Sequence, residues 1–145
     1  MSLTIDASVF VAAARLDERH YPTSHQFLQQ IRAQQCNLFC PTLVLPECAA
    51  AIARPTADAR LAEELVSLVE TFPRLQFMPL DLSLARRAGE IAREYRLRGA
   101  DSVYVSVAEV SDSVLIAWDA ELLERGTDVV TAMTPLEWME EQTAT

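Results

Sequence analysis

Four carboxylates, Asp6, Glu47, Asp101 and Asp119, are the residues of this sequence whose types and positions could do chemistry. Asp6 closes the apolar run Leu3-Thr4-Ile5, and Asp119 closes Val114-Leu115-Ile116-Ala117-Trp118. Glu47 falls in the first turn of the helix after the Pro41 turn, and Asp101 follows Gly99 at the start of another helix. In open α/β sheets ligands bind beyond the carboxyl ends of the strands, where such junctions lie. Strands this apolar belong near the centre of a sheet, which would bring Asp6 and Asp119 together. Two unit charges about 4 Å apart cost about 4 kcal/mol at an effective dielectric of 20. Four crowded carboxylates therefore either protonate in part or require a hard cation, and magnesium or manganese suits an all-oxygen site. Each acid also has an ordinary use. Aspartate before a helix is often an N-cap, and Glu47 at a helix start complements the dipole. Their joint arrival at matching edges favours the metal-binding reading.

Other chemistries are excluded by what the chain lacks. All twelve basic residues are arginine, so there is no P-loop, Schiff-base or receiver-domain lysine. Gly89, Gly99 and Gly126 are the only glycines, too few and too scattered for a phosphate cradle or a G-x-G-x-x-G turn. No G-x-S-x-G elbow is present. A phospho-acceptor or phosphatase built on Asp6 lacks both its lysine and a D-x-D motif, since Ser8 stands where the second acid belongs. Cys36, Cys40 and Cys48 are odd in number and without framework spacing, which predicts reduced, partly buried thiols. A zinc set of His20, His25, Cys36 and Cys40 is disfavoured because its members fall in different elements.

The net charge of −9 argues against a nucleic-acid partner, but it is unevenly spread. From Glu109 to Thr145 nine acids face the single Arg125, a net −8, whereas five arginines against Glu90 and Glu94 make the stretch Arg86 to Arg98 +3. Guanidinium groups bind phosphate in bidentate fashion, so Arg86, Arg87, Arg93 and Arg98 are candidate phosphate contacts. Their spacing also fits ordinary ion pairs on a solvated face, Arg86–Glu90, Glu90–Arg93 and Glu94–Arg98.

The elements that must position these residues alternate. Strands are expected at Leu3–Ile5, Leu38–Cys40, Leu75–Leu80 (interrupted by Pro79), Val114–Trp118 and Asp128–Thr131. Helices are expected at Val9–Leu16, from a cap at Thr23 or Ser24, over Thr42–Arg54 with Pro46 beginning or kinking it, and over Ala57–Phe72 once Pro55 has broken the chain. A further helix carries Leu84, Ala88, Ile91 and Tyr95 on one face and ends at Gly99. Short helices follow Asp119 and begin at Pro135. The alternation of Val103, Val105 and Val107 would suit a strand. A helix fits better there, because it lies between two strands of a parallel sheet. The chain is long enough for one domain with a core of its own, spanning residues 1–145. No apolar run approaches the roughly 18–20 residues of a membrane span. The opening Met1-Ser2-Leu3-Thr4-Ile5-Asp6 has no basic region ahead of an apolar stretch, so a cytoplasmic location without a signal peptide is expected.

These motifs resemble the PIN-domain family. They are Ile5-Asp6-Ala7-Ser8, Pro46-Glu47-Cys48-Ala49-Ala50, Arg98-Gly99-Ala100-Asp101-Ser102 and Ile116-Ala117-Trp118-Asp119-Ala120-Glu121-Leu122. The subgroup they resemble most is the VapC-like toxin ribonucleases of bacterial toxin–antitoxin pairs. The likeness spans nearly the whole chain, including the closing Thr134-Pro135-Leu136-Glu137. It implies a three-layer α/β/α sandwich with a central, mainly parallel sheet. It also implies an acidic pocket for magnesium or manganese held by Asp6, Glu47, Asp101 and Asp119, with Ser8 supporting Asp6 or its water. The implied reaction is endonucleolytic hydrolysis of RNA, with a cognate antitoxin and a homodimer as partners. One or two ions on Asp6 and Asp101, with Glu47 and Asp119 completing the shell, would activate water and stabilise the leaving oxygen. The chain departs from the family at Ala117, where many relatives carry a hydroxyl residue; Ser113 or Ser102 is a candidate substitute. The alternative reading is a PIN-like RNA- or protein-binding module with weak or no catalysis.

Overall fold

A computed structural model describes residues 1–144. Five strands, β1 (Ser2–Ile5), β2 (Asn37–Pro41), β3 (Leu75–Met78), β4 (Val114–Ile116) and β5 (Ala132–Met133), form one sheet in the order β3-β2-β1-β4-β5. All four strand pairs are parallel, so the sheet is wholly rather than mainly parallel. β1 is central, and its register sets Ile5 beside Ile116. Parallel neighbours require crossover connections, which here are helical. These are α1 (Ala7–Ala14), α2 (Tyr21–Ala33), α3 (Val44–Thr56), α4 (Ala59–Glu70), α5 (Leu82–Tyr95), α6 (Gly99–Val110), α7 (Ala120–Gly126) and α8 (Pro135–Ala144). α1 packs with α2, α3 and α4, and α2 with α8, while α6 packs with α5, α7 and the central strands. The result is the three-layer α/β/α arrangement. Leu3, Ile5, Leu38, Leu115 and Ile116 are fully or almost fully buried between the layers.

The segment with alternating valines is helical: α6 buries every residue from Ser102 to Ala108. When every side of an element is covered, valines at alternate positions carry no information about which face is in. Other expectations are corrected. α1 begins directly after Asp6 and ends at Ala14, not Leu16. α2 starts at Tyr21 with Pro22 in its first turn, so neither Thr23 nor Ser24 is its cap. α3 runs past Pro55 to Thr56 and stops at Ala57, whose φ is 54°. Asp58, not Ala57, then opens α4, its carboxylate accepting from the Leu61 amide. β3 stops at Met78, before Pro79.

Gly99 does not end α5. Arg96 does so, in a left-handed conformation with φ 55°, and Gly99 is the first residue of α6. Arg98 therefore lies off the arginine-bearing helix. β5 comes later than Asp128–Thr131, because the amides of Val129 and Val130 both bond the Gly126 carbonyl and prolong the turn. Among the described residues, no helix is long and apolar enough to cross a membrane.

Candidate active site

The sheet's connections reverse direction between β1 and β4, and in α/β folds that is where a crevice opens at the carboxyl edge. A cleft of about 480 Å³ lies there, a size usual for ligand pockets, lined by Asp6, Glu47, Asp101 and Asp119 together with Ser8, Arg98, His20 and Trp118. The four carboxylates, from segments far apart in sequence, thus share one space.

Local structure explains how each is aimed. Asp6 is the N-cap of α1, its Oδ2 accepting from the Ser8 amide at 3.0 Å. Asp119 caps α7, with Oδ1 accepting from the Leu122 amide at 2.9 Å. Capping uses one oxygen of each carboxylate and holds the side chain still, so the ordinary role and a role in the cleft are compatible. Glu47 and Asp101 occupy the first turns of α3 and α6, where helix dipoles favour negative charge. Glu47 has a partner that sequence reasoning missed. The buried Tyr104 hydroxyl donates to Glu47 Oε1 at 2.6 Å. Tyr104 lies one helical turn beyond Asp101, and that spacing was the available signal.

The cleft carries unbalanced negative charge. Burial pushes the Asp6 carboxyl up to about 6, against hydrogen bonding from Ser8, and the charges of Glu47 and Asp101 push the same way. Glu47 is raised by burial and by Asp101, and Asp101 by burial and then by Asp119 and Glu121. Among the described residues, the only cation lining the cleft is Arg98. Its Nε donates to Asp101 Oδ2 at 3.1 Å and its Nη2 to Asp119 Oδ2 at 2.8 Å.

An all-oxygen donor set in which burial, and then neighbouring carboxylates, raise the pKa values of Asp6, Glu47 and Asp101 matches the chemistry of a hard divalent ion. The side chains as they stand are not a closed ligand shell. Among the described residues, no three His, Cys, Asp or Glu groups are placed to hold one ion. Arg98 spans Asp101 and Asp119, and Glu47 is turned to Tyr104.

The remaining candidates separate. Ser8 joins the two strand–helix junctions: beyond its amide bond to Asp6, its Oγ accepts from the Trp118 amide at 3.1 Å. Neither proposed substitute for the hydroxyl missing at Ala117 is engaged with Asp119. Ser102 Oγ donates to the Gly99 carbonyl and Ser113 pairs with Ser111. Of the four arginines, Arg98 alone lines the cleft. Arg87 grips Glu109 with two bonds of 2.7 and 2.8 Å and also meets Glu90, whereas Arg86 and Arg93 are exposed on α5. The zinc set is not assembled: Cys36 and Cys40 are buried free thiols, Cys40 Sγ donates to the Ile5 carbonyl, and His20 lies in the acidic cleft.

Comparisons with known proteins agree with this architecture. The PIN-domain family model matches residues 3–127. No curated protein sequence matches the chain. Among solved structures, VapC20 of Mycobacterium tuberculosis, described as a Sarcin-Ricin loop cleaving toxin, superposes with a TM-score of 0.72 at 15% identity, over 86% of this chain and 95% of that one. VapBC2 of Rickettsia felis, bound to a DNA fragment from their promoter, gives 0.70 at 13% identity, over 92% and 98%. PAE2754 of Pyrobaculum aerophilum gives 0.69 at 22% identity, over 100% and 97%. With the family model covering most of its length, and a parallel sheet gathering four acids at its carboxyl edge, the chain belongs to the PIN-domain family.

Proposed function

We propose that residues 1–145 form a single nuclease domain, a metal-dependent endoribonuclease that hydrolyses RNA phosphodiester bonds as the toxin of a toxin–antitoxin pair. The observation that carries this reading is the meeting of Asp6, Glu47, Asp101 and Asp119 in one cleft at the switch point of the sheet. The described relatives VapC20 and VapBC2 support the toxin assignment. A cytoplasmic homodimer held inactive by its antitoxin is the matching biological state.

Asp6, Glu47, Asp101 and Asp119 would hold magnesium or manganese. Such an ion supplies a water of lowered pKa and positive charge for the leaving oxygen. The chain's own residues orient these donors. The Ser8 amide fixes Asp6, Tyr104 fixes Glu47, and the first turn of α7 fixes Asp119. Arg98, whose side chain is 65% exposed, would meet a substrate phosphate on leaving the two aspartates. Arg86, Arg87 and Arg93 are set on α5 away from the cleft and at most steer RNA from a distance.

The test is cleavage of single-stranded RNA by the purified, antitoxin-free protein with manganese or magnesium. Cleavage should stop with EDTA and with Asp6→Asn or Asp101→Asn. Full activity in both variants would falsify the assignment. The Arg98 bridge favours one second reading, a PIN-like binding module in which the guanidinium stands permanently where a metal would. RNA binding without cleavage under any divalent ion is its signature.

A further inference from the structure

Beside the carboxylates, the same cleft has an aromatic wall that neither the metal nor the proposed hydrolysis requires. The His20 and Trp118 rings are stacked with centroids 3.8 Å apart and planes within 6° of parallel, and both line the cleft. The Trp118 ring is held from several sides. Its indole N–H donates to Ser24 Oγ at 2.8 Å, and its amide donates to Ser8 Oγ at 3.1 Å. Arg19 Nε donates to His20 Nε2 at 3.1 Å, which steadies the second ring. Both rings are only partly buried, and the residue after Trp118 is the cleft acid Asp119. Trp118 packs partly against the core, yet it is not fully buried and also lines the polar cleft.

We propose that His20 and Trp118 form a stacking platform for an unpaired nucleobase next to the scissile phosphate. This rests on the nuclease reading above and deepens it. The physical need is plain. A protein of net charge −9 gains little affinity from phosphate contacts, and its catalytic cleft is itself acidic. Stacking on an aromatic face is independent of charge, because every base offers a π-face. A base seated on the platform would also set which phosphate stands at the acids, since Trp118 and Asp119 are adjacent in the chain.

Only two tryptophans are present, and Trp138 is buried against Phe27, so a change in fluorescence on binding reports Trp118. The experiment titrates the full chain carrying Asp6→Asn with a labelled single-stranded RNA and with an abasic ribose–phosphate strand of equal length. Binding is followed by label anisotropy and tryptophan emission together. RNA should quench Trp118 and the abasic strand should not. Adding Trp118→Ala should weaken RNA binding about tenfold, as the loss of a stacked base does, and leave the abasic strand unaffected. Trp118→Phe should abolish quenching but retain most of the affinity, and His20→Ala should fall between. RNA bound without quenching, or equal weakening for both strands, overturns the platform and leaves the nuclease reading standing. If neither strand binds and the wild-type protein cleaves no RNA, both readings fall.

Discussion

Asp6 carries two opposed demands. Its carboxyl is almost fully buried yet must be ionised to be useful to a cation. Held near 6 rather than 3.8, it favours the protonated form in the folded protein. The unfolded chain gives up that proton first, so metal-free stability should fall as pH rises from 3.8 to about 6. A shift of this size amounts to about 2–3 kcal/mol. Asp6→Asn should remove most of that fall and raise the melting temperature at neutral pH, even as cleavage is lost; thermal melts across the pH range check it. Arg98 works against the same field. Arg98→Ala removes both the competitor for Asp101 and Asp119 and a positive charge. Manganese should then bind more tightly, by calorimetry, although RNA cleavage acquires a higher KM. Unchanged or weaker manganese binding would show that the guanidinium does not occupy the ion's place.

At the scale of elements, helix starts do most of the positioning. Asp119 tests whether capping and site chemistry separate. Asn is as good a cap as Asp, so Asp119→Asn should keep α7 stable, whereas Asp119→Ala should cost about 0.5–2 kcal/mol. Both should impair cleavage, and denaturant unfolding beside the RNA assay distinguishes the two effects. Thr134 and Glu137 form a reciprocal capping box at the start of α8, with bonds of 3.0 and 2.9 Å. Thr134→Ala should therefore destabilise without touching activity. Arg87 ties α5 to α6 through Glu109, in a surface pair of a kind worth about 0.2–1 kcal/mol. Arg87→Ala should lower stability slightly and leave RNA cleavage unchanged, in contrast to Arg98→Ala.

For the whole molecule, a divalent ion held in the acidic cleft would make metal and fold interdependent. An ion that binds only the folded state stabilises by mass action, about 2.7 kcal/mol at a hundredfold excess over Kd. Magnesium or manganese should raise the melting temperature of the wild-type protein and EDTA should reverse it. The rise should shrink in Asp6→Asn and Asp101→Asn. A melting temperature indifferent to both ions would remove the basis for an ion-dependent activity. The three layers permit this arrangement because they brace the sheet on both faces, leaving its carboxyl edge open.

The sequence by itself determined the order of elements, the helical nature of most crossovers and the four acids at their edges. These follow from local rules: apolar runs end where a capping aspartate begins a helix, and connections between parallel strands are long enough to be helical. Where local signals were weak they misled. Gly99 looks like a terminator, but Arg96 takes the left-handed turn, and β5 is displaced because a turn at Gly126 runs on. Tertiary structure alone decided that Arg98, rather than its neighbours on α5, enters the cleft. It also set Tyr104 on Glu47 and laid His20 flat against Trp118. Those contacts depend on how far apart and at what angle α1, α3, α6 and α7 leave the sheet. Packing across the whole core sets those distances, and no short stretch of sequence encodes them.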